Sequence, residues 1–215
     1  MSDMGSPVVF HQSPRKDQAI VAFDFDGTLT VRDSFTAFLR WRAGARGWAK
    51  GMLSLASAVA TYARDRDRGR IKAASVRAFL KDVRRTTLDA DAEAFAAEAW
   101  DGLMRPDALA CWNDWGVRGA YRVIVTASPE TTVAPFARRL GAEALLGTPL
   151  VFDDRDRVTG AFASPNCRGE EKVRRLRAVY GENMRLAAAY GDTSGDTEML
   201  AIADEAGFRR FKGRP

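Results

Sequence analysis

One apolar, strand-like run stands alone near the front of the chain, and a long helical stretch separates it from a region where strands and helices alternate. Ala19 to Phe25 (AIVAFDF) is short, β-branched at its start and halted by an Asp-Gly turn, which is the pattern of a buried strand. From Ser34 to about Gly116 apolar residues recur at spacings of three and four, with Trp48, Met52, Leu55, Val59 and Tyr62 forming one stripe. Gly44 and Gly47 predict a break between two helices. The Asp-Arg repeat ending at Gly69 predicts a loop, and Ile71 to Arg85 and Asp89 to Trp100 predict two further helices. The rhythm then changes. Tyr121 to Thr126, Leu186 to Tyr190 and a hairpin around DDRDR (Leu150 to Phe162) read as strands, whereas Pro129 to Leu140, Gly169 to Tyr180 and Thr197 to Ala203 read as helices. Such alternation requires a parallel sheet flanked by helices. The expected fold is therefore α/β: a core of residues 19–33 and 117–215 built on a parallel sheet, a helical insert of about four helices over 34–116, and a flexible tail over 1–18.

Composition narrows the chemistry. The 215 residues include one histidine, His11, and two cysteines, Cys111 and Cys167. A Ser-His-Asp triad, a Cys-His protease or a thiolate-imidazole zinc site lacks its parts. If the chain is an enzyme, carboxylates and a metal are the expected means of catalysis. The cysteines show no spacing motif and read as thiols of a reducing compartment. The first 18 residues carry no apolar core of the length a signal peptide needs, so a cytoplasmic location is expected. The longest apolar-looking run, Met52 to Ala63, is broken by Ser54, Ser57 and Thr61 and falls short of the ~20 residues of a spanning helix.

Charge is unevenly spread. The net +5 conceals thirteen basic residues against three acids over Arg40 to Arg85, and one arginine against six acids over Thr86 to Ala110. A solvated helical surface is the ordinary reading of such a run, while nucleic acid, anionic lipid and phosphorylated metabolites stay open as partners.

Polar residues close three of the core strands: Asp24 and Asp26 in FDFDGT, Thr126 in VIVTASPE, and Asp192 in AAAYGDTSGD. Taken singly each has an ordinary structural explanation; in TASP, for instance, Ser128 reads as a helix N-cap with Pro129 at the first helical position. Together they lie where ligands bind in open parallel sheets, at the carboxyl edge. Several carboxylates without a soft ligand suit a hard cation such as magnesium, which would neutralise a phosphate the carboxylates alone repel. The helix start near Pro129 adds free amides. Lys172 sits in the first turn of a helix, where the dipole disfavours a cation. Glu170 and Glu171 offset that locally, or the ammonium reaches across to a phosphoryl group.

DFDGTLT (Asp24 to Thr30), VIVTAS (Val123 to Ser128), NCRGEEK (Asn166 to Lys172) and GDTSGD (Gly191 to Asp196), in that order, resemble the four motifs of the haloacid dehalogenase superfamily, in its phosphoserine-phosphatase-like branch. The resemblance implies a Rossmann-like core, a helical-bundle cap, and a magnesium-dependent phosphatase acting through an aspartyl-phosphate. It implies Asp24 as nucleophile and Asp26 as general acid and base, and it places Mg2+ on the Asp24 carboxylate, the Asp26 carbonyl and Asp192, with Asp196 orienting that shell. Thr126 and Lys172 would bind the phosphoryl oxygens, although Arg168 falls where some members place the third-motif cation. The acid at Asp26 favours phosphatase over phosphotransferase chemistry. Asp33 stands where phosphoserine phosphatases carry a glutamate, and DGT where many have DST, which weakens phosphoserine as substrate.

A small phosphorylated substrate is the expected partner. Arg40, Arg42, Arg46 and Lys50 beside Trp41 and Trp48 also resemble an interfacial helix, which leaves a phospholipid head group and peripheral membrane contact open. The alternative is that the tryptophans fill the cap core and the arginines are solvated. A non-catalytic binding protein of the same fold would not need the intact set of polar residues. Nucleic acid is not expected, because no recognised binding module is present. The oligomeric state is not encoded in these features.

Overall fold

The computed structural model describes residues 13–55 and 68–215. His11, Val59, Tyr62 and most of the Asp-Arg repeat lie outside them. Five parallel strands form the central sheet in the order β3-β2-β1-β6-β7, with β1 Ile20–Phe23, β2 Tyr121–Pro129, β3 Ala144–Thr148, β6 Leu186–Gly191 and β7 Ala203–Phe208. Val21 and Phe23 point into one apolar cluster and Ala22 into the other, so β1 is buried on both faces, as a near-continuous apolar run demands. The chain runs from β1 outward to β2 and β3, then returns to β6 and β7 on the other side. The order therefore reverses at β1, and the crevice between the carboxyl ends of β1 and β6 is the topological switch point.

Between β1 and β2 lie α1 (Ser34–Ser54), α2 (Arg68–Leu80), α3 (Arg85–Leu103) and α4 (Pro106–Val117). Gly44 breaks α1 with φ 61° and ψ 178°, a backbone conformation essentially confined to glycine, so the break falls at one of the two expected glycines. The tryptophans of α1 face inward: Trp41 packs on Phe38 and Phe95 and donates to Glu98, and Trp48 stacks on Phe79 at 5.2 Å. Arg42 pairs with Asp91, while Arg40, Arg46 and Lys50 are exposed. The tryptophans are thus packed within the insert and three of the four cations are solvated, while Met52 and Leu53 are the large apolar residues that α1 leaves exposed.

The last helix of the insert, α4, belongs against the sheet. Trp112 is fully buried, meets Phe23 edge-on at 5.0 Å and donates to the Leu140 carbonyl. On the same face α5 (Glu130–Leu140) packs against α3, and α6 (Glu170–Tyr180) and α7 (Thr197–Ala201) cover the opposite face. The DDRDR segment forms the expected hairpin, β4 Leu150–Phe152 with β5 Val158–Phe162, laid along α2. Gly160, at φ 92°, lets the Arg77 backbone approach to within 3.2 Å of where a Cβ would stand. No helix among the described residues is long and apolar enough to cross a membrane.

Candidate active site

Each polar strand ending enters the site through its own element. Asp24 follows β1 directly, and its backbone amide donates to the Tyr190 carbonyl of β6, which ties the two strands together at their carboxyl ends. The chain then turns through Phe25–Leu29, with Gly27 at φ 85°. A Cβ on Gly27 would stand 2.3 Å from Asp192 Oδ2, so only glycine lets this turn close over the loop after β6.

Of the two candidate third-motif cations, Arg168 is half-buried and Lys172 is the buried one. Its side chain leaves the first turn of α6, is 1% exposed, and its Nζ donates to Asp24 Oδ1 at 2.6 Å, Asp196 Oδ1 at 2.7 Å and the Val125 carbonyl at 2.7 Å. Three acceptors satisfy its three protons. Arg168 lies at the rim and donates to Thr193 and Ser194, which holds the loop after β6 in place.

Burial would lower the Lys172 pKa, but Asp24 and then Asp196 outweigh it and raise it. Asp24 shows the opposite balance: burial dominates, opposed by Lys172 and reinforced by Asp196, and the carboxyl is pushed up to about 7. Burial also works to raise Asp196, but Lys172 and the Thr193 amide and hydroxyl hold it below the usual carboxylate range. With Lys172 charged and Asp24 ionised, the two carboxylates around one ammonium leave one negative charge in excess.

Asp192 adds a third carboxylate, its pKa raised by burial and then by Asp196. Carboxylate oxygens of Asp24, Asp192 and Asp196 lie within 4.8 Å of one another. Both oxygens of Asp196 already have partners, Lys172 on one side and the Asp192 and Thr193 amides on the other. Asp192 Oδ1, in contrast, is buried without any hydrogen-bond partner. An orphaned carboxylate oxygen beside a buried acid is costly unless a cation completes it. The donor set is all oxygen and fits a hard divalent ion such as magnesium.

Asp26 sits on the cap side. Ser34 donates to its Oδ1 twice, from the backbone amide at 2.7 Å and from the hydroxyl at 2.5 Å, and the Ser128 hydroxyl donates to Oδ2. Burial and then Asp33 raise its pKa, against Lys72 and the two serines. Ser128 is thus not a helix cap. Pro129 occupies the N-cap position of α5 without a side-chain bond, because the backbone of β2 shifts register after Val125 and turns the hydroxyl inward. Thr126 is 1% exposed, and its hydroxyl accepts the Ser128 amide at 3.1 Å.

Two serines and Lys72 were not legible as site residues. Lys72 extends from α2 to donate to Ser128 at 3.1 Å. Ser34 lies eight residues beyond Asp26 at a helix start, and that spacing is the one signal available for it.

Comparison with known proteins agrees with this geometry. The family model of haloacid dehalogenase-like hydrolases matches residues 21–201. Protein CicA of Caulobacter vibrioides is 58% identical over 196 residues, 91% of this chain and 88% of its own. A Mycobacterium tuberculosis protein described as a probable phosphatase is 37% identical over 87 residues, 39% of this chain and 30% of its own. Among solved structures, a protein of unknown function from Bordetella pertussis Tohama I has a TM-score of 0.72 at 23% identity, covering 86% of both chains. A substrate-bound phosphoserine phosphatase has a TM-score of 0.59 at 18% identity, covering 89% of this chain and 86% of that one. The chain belongs to the haloacid dehalogenase-like hydrolases and shares the fold of their phosphoserine-phosphatase-like phosphoric monoester hydrolases.

Proposed function

We propose that this hydrolase is a cytoplasmic magnesium-dependent phosphatase that cleaves a phosphate monoester through an aspartyl-phosphate on Asp24, with α1 to α3 of the 34–116 insert as the cap that selects the substrate and α4 as part of the core. The observation carrying this reading is the Lys172 ammonium clamped between Asp24 and Asp196 beside the orphaned Asp192 oxygen. Asp24 and Asp192, with the Asp26 carbonyl, would hold Mg2+, which when bound neutralises charge on the phosphoryl oxygens.

Asp24 attacks phosphorus as the bond to the ester oxygen breaks, and Asp26 gives its proton to that oxygen, releasing the alcohol. Asp26, now a carboxylate, takes a proton from water as the water oxygen attacks the same phosphorus. Inorganic phosphate leaves and Asp24 is regenerated. Lys172 and Thr126 steady the charge on the equatorial oxygens, where stabilisation acts most directly on the barrier. Ser34 and Ser128 donate to the two oxygens of Asp26 and so fix the orientation of its carboxyl group.

Hydrolysis of p-nitrophenyl phosphate by the purified protein tests the reading. Turnover is expected with Mg2+, and its loss by at least 1,000-fold is expected in Asp24→Asn, on the order of removing a nucleophile altogether. Equal turnover by the folded variant would sink the mechanism.

A further inference from the structure

The cavity above Asp24 and Asp26 has a volume of ≈ 500 Å³, and its wall changes character with height. At the floor stand the carboxylates and Lys172. Further out, α1 and α2 present Phe35, Leu39, Trp48, Met52, Leu55 and Ile71. This wall is built, because Gly51 of α1 lets the Phe79 ring of α2 approach to 2.2 Å from where a Cβ would stand, and Trp48 stacks on the same ring. That close crossing fixes Trp48, Met52 and Leu55 along one side of the cavity. Met52 is left 38% exposed there.

Several polar groups of the outer cavity have a partner within the protein. Asp33 is the N-cap of α1 and accepts the Thr36 amide at 2.6 Å; Ser75 donates to the Ile71 carbonyl. Arg168 holds Thr193 and Ser194, and Lys72 holds Ser128. The apolar side chains of this wall offer no hydrogen bond, so a hydroxyl, ammonium or carboxylate laid along them would lose water without replacement, which is unfavourable. An apolar alcohol would lose nothing and would cover Met52.

We infer that the substrate is a phosphate monoester of an apolar alcohol, whose phosphoryl group sits at Asp24 while its hydrocarbon body lies along Phe35, Leu39, Trp48, Met52, Leu55 and Ile71. This rests on the phosphatase reading and names the substrate class of the same site.

The test is a homologous series of n-alkyl phosphates, ethyl to hexyl, held below aggregation and compared with O-phosphoserine and O-phosphoethanolamine in the presence of Mg2+. The kcat/KM rises on the order of threefold per methylene, the gain expected for burying each one, and hexyl phosphate exceeds both polar esters. Met52→Gln and Ile71→Gln each flatten the slope, with far-UV circular dichroism and melting temperature showing that the fold is kept. A flat or falling series with phosphoserine preferred overturns the inference and leaves the phosphatase reading intact. A slope unchanged in both folded variants also overturns it. Hydrolysis of none of the esters removes the phosphatase reading and the inference with it. A dioleoyl phosphatidate arm in phosphatidylcholine vesicles separates the sources: turnover there as well as of hexyl phosphate supports a lipid source, and turnover of hexyl phosphate alone supports a free ester.

Discussion

Lys172 is the residue on which the site closes. It bridges the strand-end loops through Asp24 and Asp196 while its stem is buried beneath them. Lys172→Met removes the cation and strands two buried carboxylates, which is expected to cost on the order of 3 kcal/mol in urea unfolding, besides abolishing turnover. A variant as stable as the wild type would contradict the electrostatic account. Asp24 acts in the other direction. Its folded pKa of about 7 lies above the ordinary 3.8, so its contribution to stability is complete below the lower value and is lost as pH rises through the higher one. Metal-free Asp24→Asn should therefore gain stability over the wild type as pH goes from 4 to 8, by on the order of 3 kcal/mol, read from unfolding at the two pH values. Spacing alone identified Asp24, Asp26, Asp192 and Lys172 as strand-end or helix-start polar groups. It could not place Ser128, because a serine before a proline reads equally well as a helix cap, and only the register shift in β2 decides which way its hydroxyl points.

At the level of elements, segments with strong local signals were readable and segments held by their neighbours were not. The break in α1 was readable because Gly44 adopts a conformation that other residues avoid, and the β4–β5 hairpin because DDRDR interrupts two apolar runs. Strand β3 is five residues long, buried throughout and without alternation, and β7 reads ADEAGF, exposed over most of its length. Pairing with β2 and β6 creates them, so no local pattern announces them. Gly44→Ala should destabilise the protein by about 1–3 kcal/mol, the cost of a side chain in this region of backbone space, measured by chemical denaturation. The C-terminal segment offers a pH test at the start of α4. Asp107 accepts the Lys212 and Gly213 amides at 2.7 and 2.8 Å, beside the Arg105 bond to the Gly213 carbonyl. Burial works against it, but these amides hold its pKa below the usual 3.8. Its stabilising contribution is present above that value and is lost as pH falls through the depressed one. Asp107→Asn should thus be the less stable protein near pH 6, with the gap to the wild type closing in acid.

Over the whole molecule, the site lies where the two halves of the sheet meet, at the carboxyl ends of β1 and β6. The turn after β1 and the loop after β6 meet at Gly27 and Asp192, with an unpartnered carboxylate oxygen between them and an excess negative charge around Lys172. A divalent cation that binds the folded chain and not the unfolded one draws these loops together, and stabilises by about 2.7 kcal/mol at one hundred times its dissociation constant. For a chain of this length that corresponds to a rise in melting temperature of roughly 5–10 °C. The rise should appear on adding millimolar MgCl2 to protein stripped with EDTA, and vanish in Asp192→Asn, which keeps the shape of the side chain but not its charge. Salt at matched ionic strength should produce no such shift, since screening acts on the exposed arginines of α1 while the buried cluster lies beyond its reach. An equal rise with NaCl would mean that the effect belongs to the basic surface, and the assignment of the carboxylate cluster to a metal would fall.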